Sequence, residues 1–267
     1  MNYIKIFVKY LLSFSKIFGY KININKISSN TSHVLIDKNI WEPFLYSKNN
    51  SILNIYNEAI RKSNSRYSDS LLKQLRFYSL FEVVENIISK NEYENFVECG
   101  CWKGHSSYGI STILKKNNFK KKFYIIDSFE GGLSKKIKSD INTRRYIQNK
   151  NEITNQKNHF YSKFEDVKNL LSDFKFIEIY KGWIPEVFNK IKNEKFSFIH
   201  IDLDLYNPTF ETINFFYDKL IEGGIIVCDD YNCSDFPGAK LAIDKFIINK
   251  KVSLFYEVPL GGCIIIK

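Results

Sequence analysis

Residues 196–231 read FSFIHIDLDLYNPTFETINFFYDKLIEGGIIVCDDY: two apolar runs separated by a segment of helix length, each run ending in acid. Phe198, Ile199 and Ile201 lead into Asp202 and Asp204, while Ile225, Ile226 and Val227 lead through Cys228 into Asp229 and Asp230. Between them Phe210, Ile213, Phe216, Tyr217 and Leu220 recur at helical spacing, which predicts a helix over 209–220 stopped by Gly223 and Gly224. Strand, helix and strand make a right-handed crossover, so both strands lie parallel and both acidic ends open on one rim. Open α/β sheets bind their ligands at that rim. Carboxylates crowded there repel one another, and a hard divalent cation is the simplest partner that makes the arrangement favourable. The plainer alternative has Asp229 or Asp230 capping the next helix and Asp204 facing water.

Upstream, Ser68 or Asp69 is placed to cap a helix running from residue 71 through Leu75, Leu80, Val84 and Ile87, before a strand at 95–98. From residue 98 the chain reads ECGCWKGHSS. Gly100 and Gly104 permit a tight turn with close backbone approach, and Ser106 or Ser107 opens a helix whose free amides point at a ligand. The turn reads ExGxxxG rather than the GxGxxG of dinucleotide folds. The next strand, 122–126, ends in Asp127 and Ser128, and an acid at that position can accept from both hydroxyls of a ribose. Residues 133–160 are polar, carry Lys135, Lys136, Lys138, Arg144 and Arg145, and are too long for an idle connection. They are expected to form a flap over the pocket.

A third strand is expected at 174–180, running into Lys181, Gly182 and Trp183. Downstream of the acids, Pro237 and Gly238 open a helix through Leu241, Ile243, Phe246 and Ile247. Apolar runs at 253–258 and 263–266, joined through Gly261 and Gly262, predict a terminal hairpin.

Composition bounds the reading. A chain of 267 residues, 44% hydrophobic with 23 Phe and 17 Tyr, can bury one large core. The formal charge is +10, but lysine is spread over helices, turns and loops alike, which argues against a nucleic-acid groove. Five cysteines without a CxxC pair read as reduced thiols in a cytoplasmic protein. Residues 3–18 are expected to form a cationic amphipathic helix, with Ile4, Phe7, Val8, Leu11 and Phe18 opposite Lys5, Lys9 and Lys16. It is suited to packing on its own domain or on a second subunit, or to lying on the inner face of a membrane. Residues 1–70 are thus expected to hold this helix and a loose connector, and 71–267 to form the main domain.

Alternating strands and helices followed by a hairpin predict a doubly wound, mostly parallel seven-stranded sheet with an antiparallel edge. The motifs FVECGCWKGHSS, IIDSFEGG, KGWIPEVF, the 196–231 stretch and PGAKLAIDKF, in this order, resemble the macrocin O-methyltransferase (TylF-like) family. The resemblance implies the Rossmann-like class I methyltransferase fold and methyl transfer from S-adenosylmethionine to a sugar hydroxyl. It further implies Mg²⁺ held by Asp202, Asp229 and Asp230, the cofactor bound by Glu98, Gly100, Gly104, Ser106, Asp127 and Ser128, and a homodimer formed through the N-terminal region. The acceptor is then a free, nucleotide-linked or polymeric sugar, as in surface polysaccharide or natural-product synthesis. Asp202, then Asp204, is the expected proton acceptor; His105 and His200 are further acid or base candidates, although His200 lies within a strand and reads rather as a satisfied core residue, and Tyr206 and Trp183 either line the acceptor pocket or serve ordinary packing. Related catechol enzymes place a lysine three residues after the first metal acid, and Leu205 stands there in this chain. An oxidoreductase on the same sheet would need GxGxxG and a Tyr/Lys or His arrangement, neither of which is present.

Overall fold

The structure, a computed structural model, describes residues 50–131, 136–140, 160–233, 236–258 and 261–267. All of them belong to one compact unit, Tyr46–Lys267. The expected helix at 3–18, nearly all of the connector at 21–50 and most of the flap at 133–160 lie outside the described residues.

Seven strands make one sheet in the order β3-β2-β1-β4-β5-β7-β6. They are β1 (Asn95–Cys99), β2 (Phe123–Asp127), β3 (Ile177–Lys181), β4 (Phe196–Ile201), β5 (Leu220–Cys228), β6 (Leu254–Glu257) and β7 (Cys263–Ile266). The first five pair in parallel, and β7 runs antiparallel between β5 and β6. The chain builds outward from β1 to β3, returns, and resumes on the other side of β1 with β4. The switch point therefore lies between the carboxyl ends of β1 and β4.

The helices are α1 (Asn50–Lys62), α2 (Leu71–Ser89), α3 (His105–Lys116), α4 (Phe164–Leu170), α5 (Tyr206–Tyr217) and α6 (Pro237–Asn249). Two apolar clusters form, as a sheet covered on both faces requires. One joins α1, α2 and α3 through Ile55, Phe81, Val84 and Ile110 to Phe96 and Ile125. The other joins α5 and α6 through Ile213, Phe216 and Phe246 to Val97, Ile199 and Ile226.

Several expected boundaries move. The crossover helix occupies 206–217 rather than 209–220, because Asp204 takes a left-handed φ of 61° and turns the chain into the helix at once. Gly223 and Gly224 do not stop it; they lie inside β5, where the ladder to β4 shifts register. Ser70, not Ser68 or Asp69, caps α2 by accepting from the Lys73 amide at 3.2 Å. The third strand begins at Ile177 because Phe174 is held in a turn on Leu171. Helix α1 has no counterpart in the sequence reading. Its Ile52, Ile55, Tyr56 and Ile60 belong to the first cluster.

Candidate active site

At the switch point the backbones of β1 and β4 nearly touch. A Cβ on Gly100, whose φ is +88°, would lie 1.9 Å from the carbonyl oxygen of Asp202. The glycine is needed for this strand-to-strand approach, and it leaves the carboxyl ends of β1, β2, β4 and β5 around a cleft of about 540 Å³.

One wall carries the turn after β1. The Asp127 carboxylate accepts from the Cys101 and Trp102 amides, both at 2.9 Å on Oδ2, and from the Phe129 amide at 2.9 Å on Oδ1. About three of a carboxylate's roughly four acceptor positions are thereby used by backbone, leaving room for one ribose hydroxyl rather than the two expected. Gly100, Asp127 and Ser128 line the cleft; Glu98, Gly104 and Ser106 do not. Gly104 packs toward Leu170, and Ser106 is buried. Glu98 is fully buried, with one oxygen bonded by Ser107 Oγ and the other 2.8 Å from His200 Nδ1. These residues brace the turn from behind. Trp183 also lines this side, half-exposed, its Nε1 donating to Glu130 at 2.8 Å.

The other wall is acidic. Asp202, Asp204, Asp229 and Asp230 all line the cleft, as their places at two adjacent strand ends predict. Asp230 Oδ2 accepts from the amides of Leu203, at 3.0 Å, and Asp204, at 2.7 Å, tying β5 to the turn after β4. Burial and then the neighbouring carboxylates hold Asp202 and Asp204 well above the usual range and push Asp230 up to about 6. Asp229 instead meets a cation, the Arg76 guanidinium, at 3.2 Å.

Arg76 and Lys73 are the site residues that sequence reasoning missed. They sit three apart on α2, one above the other on a helix face. The only two basic residues of α2, standing three apart, were the available signal.

The histidines fall elsewhere. His105 stacks on Phe77 at 4.2 Å, is buried, and has its pKa pushed down to about 3 by burial and by Lys73. For His200 burial opposes the charge, but the Glu98 contact and then Asp229 and Asp202 raise the pKa to about 9. Neither lines the cleft, so neither meets a substrate there. Tyr206 does not line it either, whereas Trp183 does.

The fit to a metal is chemical rather than preformed. The acids offer the oxygen donors that Mg²⁺ prefers. As they stand, however, no three His, Cys, Asp or Glu side chains among the described residues are grouped to hold an ion. Asp229 is turned to Arg76, and Asp230 to two amides. The cysteines are free thiols, as expected, with Cys233 alone not buried. No helix among the described residues is long and apolar enough to cross a membrane.

Known proteins resemble this chain in sequence and in fold. Demethyldecarbamoylnovobiocin O-methyltransferase from Streptomyces niveus is 22% identical over 200 residues, 72% of this chain and 73% of the relative. The 8-demethyl-8-(2,3-dimethoxy-alpha-L-rhamnosyl)-tetracenomycin-C 4′-O-methyltransferase of Streptomyces olivaceus is 24% identical over 159 residues, 58% of this chain and 60% of the relative. The fold matches the SAH-bound crystal structure of the Podospora anserina methyltransferase PaMTH1 with a TM-score of 0.56, 12% identity and coverage of 90% of this chain and 98% of that one. The fold likeness is to a methyltransferase, and both sequence relatives are named as O-methyltransferases. The profile of the family described as Macrocin-O-methyltransferase (TylF) matches residues 22–262, and the chain belongs to that family.

Proposed function

We propose that the protein moves a methyl group from S-adenosylmethionine to a hydroxyl of a sugar. The observation that carries this reading is the pairing of walls in one cleft: a turn organised by Asp127 on one side and four carboxylates on the other. The name of the Streptomyces olivaceus relative, a rhamnosyl 4′-O-methyltransferase, supports a sugar as acceptor. A nucleotide-linked or glycan-borne sugar, of the kind built into surface polysaccharide, suits the cationic residues at 133–160 and the basic stretch at 3–18.

In this reading Gly100, Asp127 and Ser128 contact the cofactor, whose sulfonium supplies the methyl group, while Glu98, Gly104 and Ser106 hold the turn. Asp202, Asp229 and Asp230 would hold Mg²⁺, which when bound lowers the pKa of an alcohol and fixes its approach. Asp229 must then be shared with or released by Arg76. Burial and the neighbouring carboxylates raise the proton affinity of Asp202 and Asp204, which is what a proton acceptor at this rim requires. Asp204 is the more buried of the two. The cleft walls must bring the hydroxyl in line behind the methyl, because orientation supplies much of the rate in such transfers.

Calorimetric titration of S-adenosylmethionine, followed by Mg²⁺, into the wild type and Asp229→Ala tests this. Cofactor binding with a metal step absent from the variant supports both parts. Cofactor binding without a metal step in either protein removes the metal, and no cofactor binding removes the function.

A further inference from the structure

The cleft contains a cation that none of the preceding roles uses. Lys73 lies in the first turn of α2 and lines the cleft beside Gly100, Trp102 and Asp202. Its Nζ donates to Ser68 Oγ at 2.8 Å, and Ser68 Oγ in turn donates to the Ser65 carbonyl at 2.7 Å, so the ammonium is held in place. It lies 5.6 Å from the ring centroids of both Phe77 and Trp102. No ion pair joins it to a carboxylate among the described residues, in contrast to Arg76, which has taken Asp229, and to Lys240, which is 2.8 Å from Asp244. An ammonium carries three donors. With one on Ser68, a fixed and partly desolvated cation presents the rest to the cleft.

We propose that Lys73 is the anchor for the carboxylate at the amino-acid end of S-adenosylmethionine, a deepening that rests on the methyltransferase reading. The geometry runs through Trp102. Its backbone amide is held on Asp127, which marks the ribose position, and its ring is next to Lys73 Nζ. One residue thus spans the distance from the sugar of the cofactor to the cation. The sulfonium lies between these two ends and has to face Asp202, where the acceptor hydroxyl arrives. Asp202 is close enough to act on the charge of Lys73. Beyond the sulfonium the amino-acid end reaches the start of α2, where a fixed ammonium makes a charge-assisted bond to a carboxylate. The anchor would set how far the methyl group projects over the acids, making Lys73 a positioning residue for the reaction.

The test compares two ligands, S-adenosylhomocysteine and 5′-deoxy-5′-methylthioadenosine, which keeps the nucleoside and thioether but lacks the amino-acid end. Calorimetry on the full chain should show Lys73→Met weakening S-adenosylhomocysteine by about tenfold to a hundredfold, with methylthioadenosine affinity unchanged. Lys73→Arg should recover most of the loss. The unchanged methylthioadenosine affinity also reports that the variant is folded. Loss of both ligands together, or of neither, overturns the anchor. So does an unchanged S-adenosylhomocysteine affinity with a raised KM for a nucleotide-sugar acceptor, which would assign Lys73 to an acceptor anion. Wild-type protein that binds neither ligand overturns the methyltransferase reading itself.

Discussion

The two walls of the cleft are built on opposite electrostatic plans. On the β1–β2 wall the carboxylate of Asp127 is answered by three backbone amides, and Glu98 by Ser107 and His200. On the β4–β5 wall four carboxylates share one described guanidinium and two amides. The first wall is finished before any ligand arrives. The second holds unbalanced negative charge, which raises its own pKa values and waits for a cation or a proton. Preorganisation suits a cofactor that is the same in every turnover, whereas charge held in reserve suits a centre that must accept a proton or an ion during one.

The contact on which both walls depend breaks first. Gly100→Ala places a methyl against the Asp202 carbonyl at a positive φ, so it should cost roughly 3–5 kcal/mol, combining overpacking and left-handed strain. Urea unfolding checks this; a loss under about 1 kcal/mol would mean that the strands part easily and the walls are independent. Next, Arg76→Gln removes the cation nearest the acids and should lower stability by about 1–3 kcal/mol, discounted for its partial exposure. Millimolar Mg²⁺ should return part of that loss if the acids take the ion, and chemical unfolding with and without the salt reads it.

The reserve of charge also has a pH signature. Asp230 carries a folded pKa of about 6 against about 3.9 unfolded, so between these values the native state binds more protons than the unfolded one. Stability should therefore fall as pH rises from about 4 to about 6, by about 1–2 kcal/mol. His200, raised to about 9, gives the same sign above its unfolded value of about 6.5, its contribution being lost as pH rises through about 9. Asp230→Asn should flatten the acid limb, and a limb that keeps its slope in the variant would place the excess charge elsewhere. The smallest effect belongs to the helix that delivers both cations: Ser70→Ala removes its cap and should cost about 0.5–1 kcal/mol in thermal or urea unfolding.

The acidic wall was legible in the sequence because strand ends are marked by apolar runs, and an acid following such a run has few places to go. Asp127 was legible for the same reason, but its partners were not. Amides of Cys101 and Trp102 return to it only once the turn has closed, and side-chain spacing carries no record of that closure. Glu98 looked like a cleft residue because it precedes the glycine turn; the pleat of β1 points it instead toward Ser107 and His200. Lys73 and Arg76 were hidden by a helix that reads as core, and only the packing of α2 across the strand ends gives their face a target. Helix α1 was obscured by the Asn, Lys and Ser surrounding it.

Asp140 buries its carboxylate between two helices, accepting from the Tyr206 amide at 2.7 Å and from the Ile137 amide at 2.8 Å, in space that only a glycine at 238 leaves open. Any side chain at 238 would displace the Asp140 carboxylate and strip the Tyr206 amide at the start of α5 of its acceptor, so positions 140 and 238 can change only together.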